Sequence, residues 1–131
     1  MLDVVDTPGI DCESFPRYYK QGDGFMIVYA VDNIITFEEA KNHCVNLLKS
    51  KQGIDVPIII IANKWDYEDQ RWVISRQQGQ DLAAAFNAKY FETSAASSIG
   101  ITEAFAAMVR MLRETKQPPV PNENNQKCIV F

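Results

Sequence analysis

The chain has 131 residues, 47% hydrophobic and 23% charged, with a formal net charge of −4. That length suits one domain, and the acidic balance gives no electrostatic footprint for nucleic acid. No apolar run approaches the ~20 residues that span a bilayer, and no signal peptide precedes the first strand. Three cysteines, Cys12, Cys44 and Cys128, form no C-x-x-C pair and leave an odd one over. That pattern fits a reducing, intracellular setting.

In chain order, Leu2–Val5 reads as a short strand, closed by the turn Asp6-Thr7-Pro8-Gly9, where Pro and Gly together break regular structure. Residues 10–21 follow, with Phe15, Tyr18 and Tyr19 as aromatics that either meet a partner or pack on the sheet. Phe25–Val31 is a buried strand. Thr36-x-x-Glu39 reads as a capping box that opens a helix. Its stripe is Phe37, Ala40, Cys44, Leu47 and Leu48, at 3.6-residue spacing. Cys44 is therefore expected in the core and His43 in solvent, and Gly53 ends the helix.

Val56–Asp66, VPIIIIANKWD, carries the strongest strand signal. Four successive isoleucines show no apolar–polar alternation, which suits a parallel strand covered on both faces. Asn63, Lys64 and Asp66 stand where that strand ends, and open α/β sheets bind ligands outside the carboxyl ends of their strands. Trp72 is expected over an edge of the core. Ser75-x-x-Gln78 is a second capping box, with Leu82, Ala83 and Phe86 inward. Lys89–Glu92 is a last short strand leading into Thr93-Ser94-Ala95. Ile101–Arg113 is an amphipathic helix with Ile101, Ala104, Phe105, Met108, Val109 and Leu112 on one face.

Asn63-Lys64-Trp65-Asp66, the Asp6-x-x-Gly9 turn and Thr93-Ser94-Ala95, in this order, resemble the Ras-type small GTPases. The resemblance implies an α/β fold: a three-layer, P-loop NTPase-like sheet with helices on both faces, N-terminally truncated. It also implies a GTP/GDP-binding switch in signal transduction. In such a site the Asp66 carboxylate accepts hydrogen bonds from guanine N1–H and the exocyclic amine. The Lys64 stem lies over the base, and the Asn63 side chain ties neighbouring loops together. After Ser94, the Ala95 backbone N–H donates to guanine O6. Adenine offers the wrong pattern at both places, and sites built on such pairing reject the wrong partner by roughly 10⁴-fold or more. Asp6 would reach Mg²⁺ through a water. The Gly9 N–H would reach the terminal phosphate, since only Gly permits so close an approach.

Three residues depart from the family pattern, Pro8 among them in place of a smaller residue that leaves the turn less stiff, and no catalytic residue is assigned. Ile10 follows Gly9 where efficient hydrolysers carry a water-orienting Gln, so GTPase activity is left open. Ala96 stands where Lys is usual and weakens a stacking contact. The sequence holds no G-x-x-x-x-G-K-[ST], the loop that cradles phosphates. Weak or absent nucleotide binding is the expectation. Without the family's first strand, the strands of Val4 and Tyr29 would face a gap or close onto each other, and the fold would be marginal.

Residues 1–116 thus read as a partial Ras-like domain. From Gln117 the composition shifts to Pro, Asn and Gln, and 117–131 reads as a flexible tail. Its last four residues, Cys128-Ile129-Val130-Phe131, match a C-a-a-X prenylation box of the geranylgeranyl type. The expected location is the cytoplasmic side of membranes, partitioning with cytosol. Effectors and regulators would meet residues 10–21. The alternative reading is a non-enzymatic, prenylated interaction fragment that competes for the partners of longer relatives.

Overall fold

The computed structural model describes residues 2–6, 15–51, 56–64, 72–94, 100–114 and 126–131. Five strands, β1 (Leu2–Asp6), β2 (Gly24–Ala30), β3 (Ile58–Lys64), β4 (Lys89–Ser94) and β5 (Gln126–Val130), form one sheet. The order is β1-β5-β2-β3-β4, and every pairing is parallel. All five carboxyl ends therefore lie along one edge of the molecule. The helices are α1 (Phe15–Gln21), α2 (Ile34–Lys51), α3 (Arg76–Ala85) and α4 (Ile101–Glu114).

The isoleucine run explains the layering. All four residues are buried, and successive side chains point to opposite faces of a strand. Ile58 and Ile60 join Phe25, Ile27, Tyr29, Phe37, Cys44 and Leu82, under α1, α2 and α3. Ile59 and Ile61 join Met26, Ala104, Met108 and Leu112, under α4. Helices thus cover both faces, as a strand without polar alternation requires. Burying an isoleucine in this way contributes roughly 1.5–3 kcal/mol.

The sheet has neither a gap nor a direct β1–β2 pairing. The segment expected to be a flexible tail supplies the missing neighbour. β5 pairs with β1 from Leu2↔Gln126 to Asp6↔Val130, and with β2 from Gly24↔Cys128 to Met26↔Val130. Two bonds extend the β2 ladder: the Phe131 N–H donates to Met26 O (2.9 Å), and the Val28 N–H donates to Phe131 O (3.1 Å). Cys128-Ile129-Val130 is apolar, with β-branched Ile129 and Val130, and a slot between two strands satisfies its backbone where water would otherwise have to. Residues 115–125, the rest of the expected tail, lie outside the described residues.

Local expectations fare unevenly. The Ser75 capping box forms as read, with the Ser75 Oγ accepting from Gln78 N–H and the Gln78 side chain accepting from Ser75 N–H. At α2 the helix starts two residues before Thr36. The Asn33 Oδ1 accepts from the Ile35 N–H (3.0 Å), while the Thr36 hydroxyl turns back to the end of β2. There it accepts from the Ala30 N–H (2.9 Å) and donates to Asn33 O (2.8 Å). Phe37, Ala40, Cys44 and Leu47 are buried as expected, but Leu48 is 63% exposed. It stands one residue past Leu47, about 100° round the helix.

His43 is not a solvated residue. Its Nδ1 shares a 2.8 Å hydrogen bond with the Tyr19 hydroxyl, and its ring stacks on Phe131 at 4.2 Å between centroids. Burial lowers its pKa to about 4. Tyr19, one of the aromatics expected either to meet a partner or to pack, packs in the core.

Candidate binding site

β3 and β4 end side by side, and the polar residues of both strands begin there. The register pairs Asn63 with Thr93 and Lys64 with Ser94. Thr93 and Ser94 are buried. The Thr93 hydroxyl donates to Asn63 Oδ1 at 3.2 Å, and Asn63 O accepts from the Val31 N–H at 3.1 Å. Asn63 therefore ties the ends of β2, β3 and β4 together, through its side chain to Thr93 and its backbone carbonyl to Val31.

Lys64 is positioned by a partner that sequence reasoning missed. Its ammonium lies 3.4 Å from Glu92 Oε1 and 5.5 Å from the centre of the Trp72 ring. Glu92 also takes a two-pronged contact from the Arg76 guanidinium, whose Nη2 donates to Oε1 at 3.1 Å and whose Nε donates to Oε2. The Tyr90 hydroxyl donates to Oε2 at 3.0 Å. The Arg76 hydrogen bond is the main cause that holds the Glu92 carboxyl below its ordinary value, against desolvation that raises it. The Tyr90 bond and the charges of Arg76 and Lys64 add to the lowering. Trp72 packs on the core, as expected, and also lies within cation–π range of Arg76, 5.3 Å from its Cζ.

Two glycines allow this arrangement. A Cβ on Gly79 would collide with the Tyr29 hydroxyl and stand 2.6 Å from the Tyr90 ring, so its absence lets α3 settle on β2 and β4. Gly100 has φ +85°, a left-handed conformation suited to Gly, and passes against the Glu92 backbone.

The remaining expected site residues distribute as follows. Asp6 ends β1, at the same edge of the sheet but with β5 and β2 between it and β3. Asp66, Ala95 and Gly9 lie outside the described residues. Among the described residues, no group of three His, Cys, Asp or Glu side chains could hold a metal ion. No helix among them is long and apolar enough to cross a membrane. Cys128, expected on an exposed tail for lipid transfer, is instead fully buried, and burial raises its thiol pKa to about 11.

The parallel sheet with helices on both faces agrees with the α/β fold of the family suggested by the motifs, and the comparison with known proteins decides it. Residues 1–114 match the model of the Ras family. The chain belongs to the Ras family. Over 116 residues this Ras-family chain is 39% identical to the protein ras-1 of Neurospora crassa, a match covering 87% of the chain and 54% of that protein. The chain thus spans about half the length of the curated relative it matches.

Signals for the missed residues exist but are weak. Glu92 is a carboxylate within a strand, directly before Thr93-Ser94, and Arg76 follows a helix cap. Only the fold brings them within reach of each other.

Proposed function

We propose that this Ras-family chain forms the base-recognising side of a GTP/GDP-binding switch, with Mg²⁺ accompanying the nucleotide. The observation that carries this reading is the Thr93–Asn63 hydrogen bond. It joins the strand ends from which Asn63-Lys64-Trp65-Asp66 and Thr93-Ser94-Ala95 emerge. In this reading the Asp66 carboxylate accepts from guanine N1–H and the exocyclic amine, and the Ala95 N–H donates to O6. Glu92 holds the head of Lys64, so that the Lys64 stem and the Trp72 ring form an apolar wall beside the base. Gly9 and Asp6 would contribute toward phosphate and Mg²⁺ from the end of β1. The sequence contains no phosphate-cradling G-x-x-x-x-G-K-[ST] loop, so binding is weak and owes its selectivity to the base.

The test is calorimetric titration of the purified chain with GDP, GTP and ATP in Mg²⁺. Guanine nucleotides are expected to bind with dissociation constants of roughly micromolar or weaker, ahead of ATP. Asp66→Asn should erase that preference. Equal binding of ATP and GTP by the unmodified chain would refute the reading. Contacts of residues 10–21 with effectors and regulators, and lipid attachment at Cys128 with membrane partitioning, belong to the same proposal. Attachment requires that β5 first leave the sheet.

A further inference from the structure

β5 grips its two neighbours unequally. It shares five register pairs with β1 but three with β2, where β3 shares six with β2. β1 has no sheet partner other than β5 among the described residues. The side chains that β5 puts into the interior are Cys128 and Ile129, with Val130 and Phe131 partly buried. Both core clusters persist without them, since β2, β3 and β4 are packed by α2, α3 and α4 independently of β5.

The anchor is the Phe131 ring. It stacks on Phe25 (centroids 6.1 Å apart, planes 6° apart) and on His43 (4.2 Å, 18°), and tilts against Tyr19 (5.2 Å). The Tyr19–His43 hydrogen bond braces two walls of this aromatic cage from different helices. Gly22 completes the seat. A Cβ there would stand 2.6 Å from the Phe25 ring and 2.7 Å from Ile129 Cγ1.

We propose that the slot between β1 and β2, with its Tyr19–Phe25–His43 cage, is a docking site for an extended apolar segment bearing an aromatic end. Its occupant is the chain's own Gln126–Phe131. β5 leaves and re-enters as a unit while β2, β3, β4 and their helices stay folded. Openings below global unfolding take place in contiguous units of this kind. Seated, β5 closes the sheet and buries Cys128; withdrawn, it frees the thiol and leaves the β2 and β1 edges unpaired. A closed sheet and chemistry at Cys128 are then mutually exclusive. The bearing on lipid attachment rests on the reading above, but the strand exchange itself does not.

Cys44 is a built-in control, fully buried on the inner side of α2 and remote in sequence from β5. The full chain is pulsed with iodoacetamide under native conditions, and alkylation of each cysteine peptide is followed by mass spectrometry. Cys128 is expected to react at least tenfold faster than Cys44, yet at least tenfold slower than in the urea-unfolded chain. Phe131→Ala should speed Cys128 about tenfold more and leave Cys44 unchanged, while Phe131→Tyr keeps the stack and stays slow. Equal rates at Cys128 and Cys44 in the unmodified chain would overturn the proposal, because β5 would then leave only on global unfolding. Reaction of Cys128 at the unfolded rate would also overturn it, because the slot would then be empty. If Phe131→Ala unfolds the whole chain, the urea dependence of the unmodified chain decides. A shallower slope for Cys128 than for Cys44 supports a local opening, and identical slopes refute it.

Discussion

Replacing Glu92 with Gln isolates what its charge does, because the amide keeps nearly the same shape. Glu92 is mostly buried, Lys64 less so, and Arg76 is about half exposed. Hydrogen bonds to charged groups contribute ~1.5–3 kcal/mol each when shielded, and exposed ion pairs contribute ~0–1 kcal/mol. With Arg76 discounted for its exposure, Glu92→Gln should lower stability at pH 7 by about 1–2 kcal/mol. In a domain of this size that is a fall in Tm of ~3–7 °C. The charge also sets a pH signature. The folded-state carboxyl titrates below its unfolded value near 4.5, so its contribution is present above that pH and lost as pH falls through the folded value. Urea titrations followed by tryptophan emission, run at pH 7 and at steps below 4.5, should show the two proteins converging in acid. Equal stability at pH 7, or a difference that does not shrink in acid, would show that Glu92 acts by shape alone.

Gly79→Ala drives a methyl into Tyr29 and Tyr90, and should destabilise by ~1–3 kcal/mol, measured by thermal unfolding. Ile60→Ala empties a fully buried position and should lower stability by ~2–5 kcal/mol in urea titration. The His43 pKa is depressed from 6.5 to about 4, so protonation favours the unfolded chain, and stability should fall as pH drops from about 6.5 toward 4. His43→Phe keeps a ring against Phe131 and should flatten that slope in Tm-against-pH measurements. Cys128→Ser buries a hydroxyl where a thiol packs, and should loosen β5 by ~1–3 kcal/mol, read as faster amide exchange in β5 with β3 unchanged.

What was legible in the sequence follows from the range of the interactions. Ile58–Ile61 announces β3 because a strand buried on both faces leaves its mark on every residue. Ser75 and Gln78 announce α3 because both halves of a capping box are local. Asn63 and Ser94 could be placed because strand ends collect polar residues where binding loops begin. Thr36 misled for a local reason, since Asn33 offered a competing cap one helical turn earlier. Glu92 stayed hidden because its partners stand 16 and 28 residues away. Nothing in the spacing of Lys64, Arg76 and Glu92 encodes their meeting. β5 is the extreme case. Four residues with strand propensity at the end of a Pro- and Asn-rich stretch read as a tail, until two open strand edges give them a place.

The register of β1 carries a consequence for how the chain is made. Leu2 pairs with Gln126 and Asp6 with Val130, so among the described residues β1 finds its only sheet neighbour 124 residues further along the chain. At ~5–20 residues per second, β1 waits several seconds with its backbone unpaired while β2, β3 and β4 already have one another. Contacts this distant also close slowly, because the loop must be ordered before the pairing rewards it. Maturation is therefore two-stage, a rapid assembly around β3 followed by late capture of β1 through β5. In that interval the nascent β1 is open to chaperones, or to any other extended chain that reaches it first.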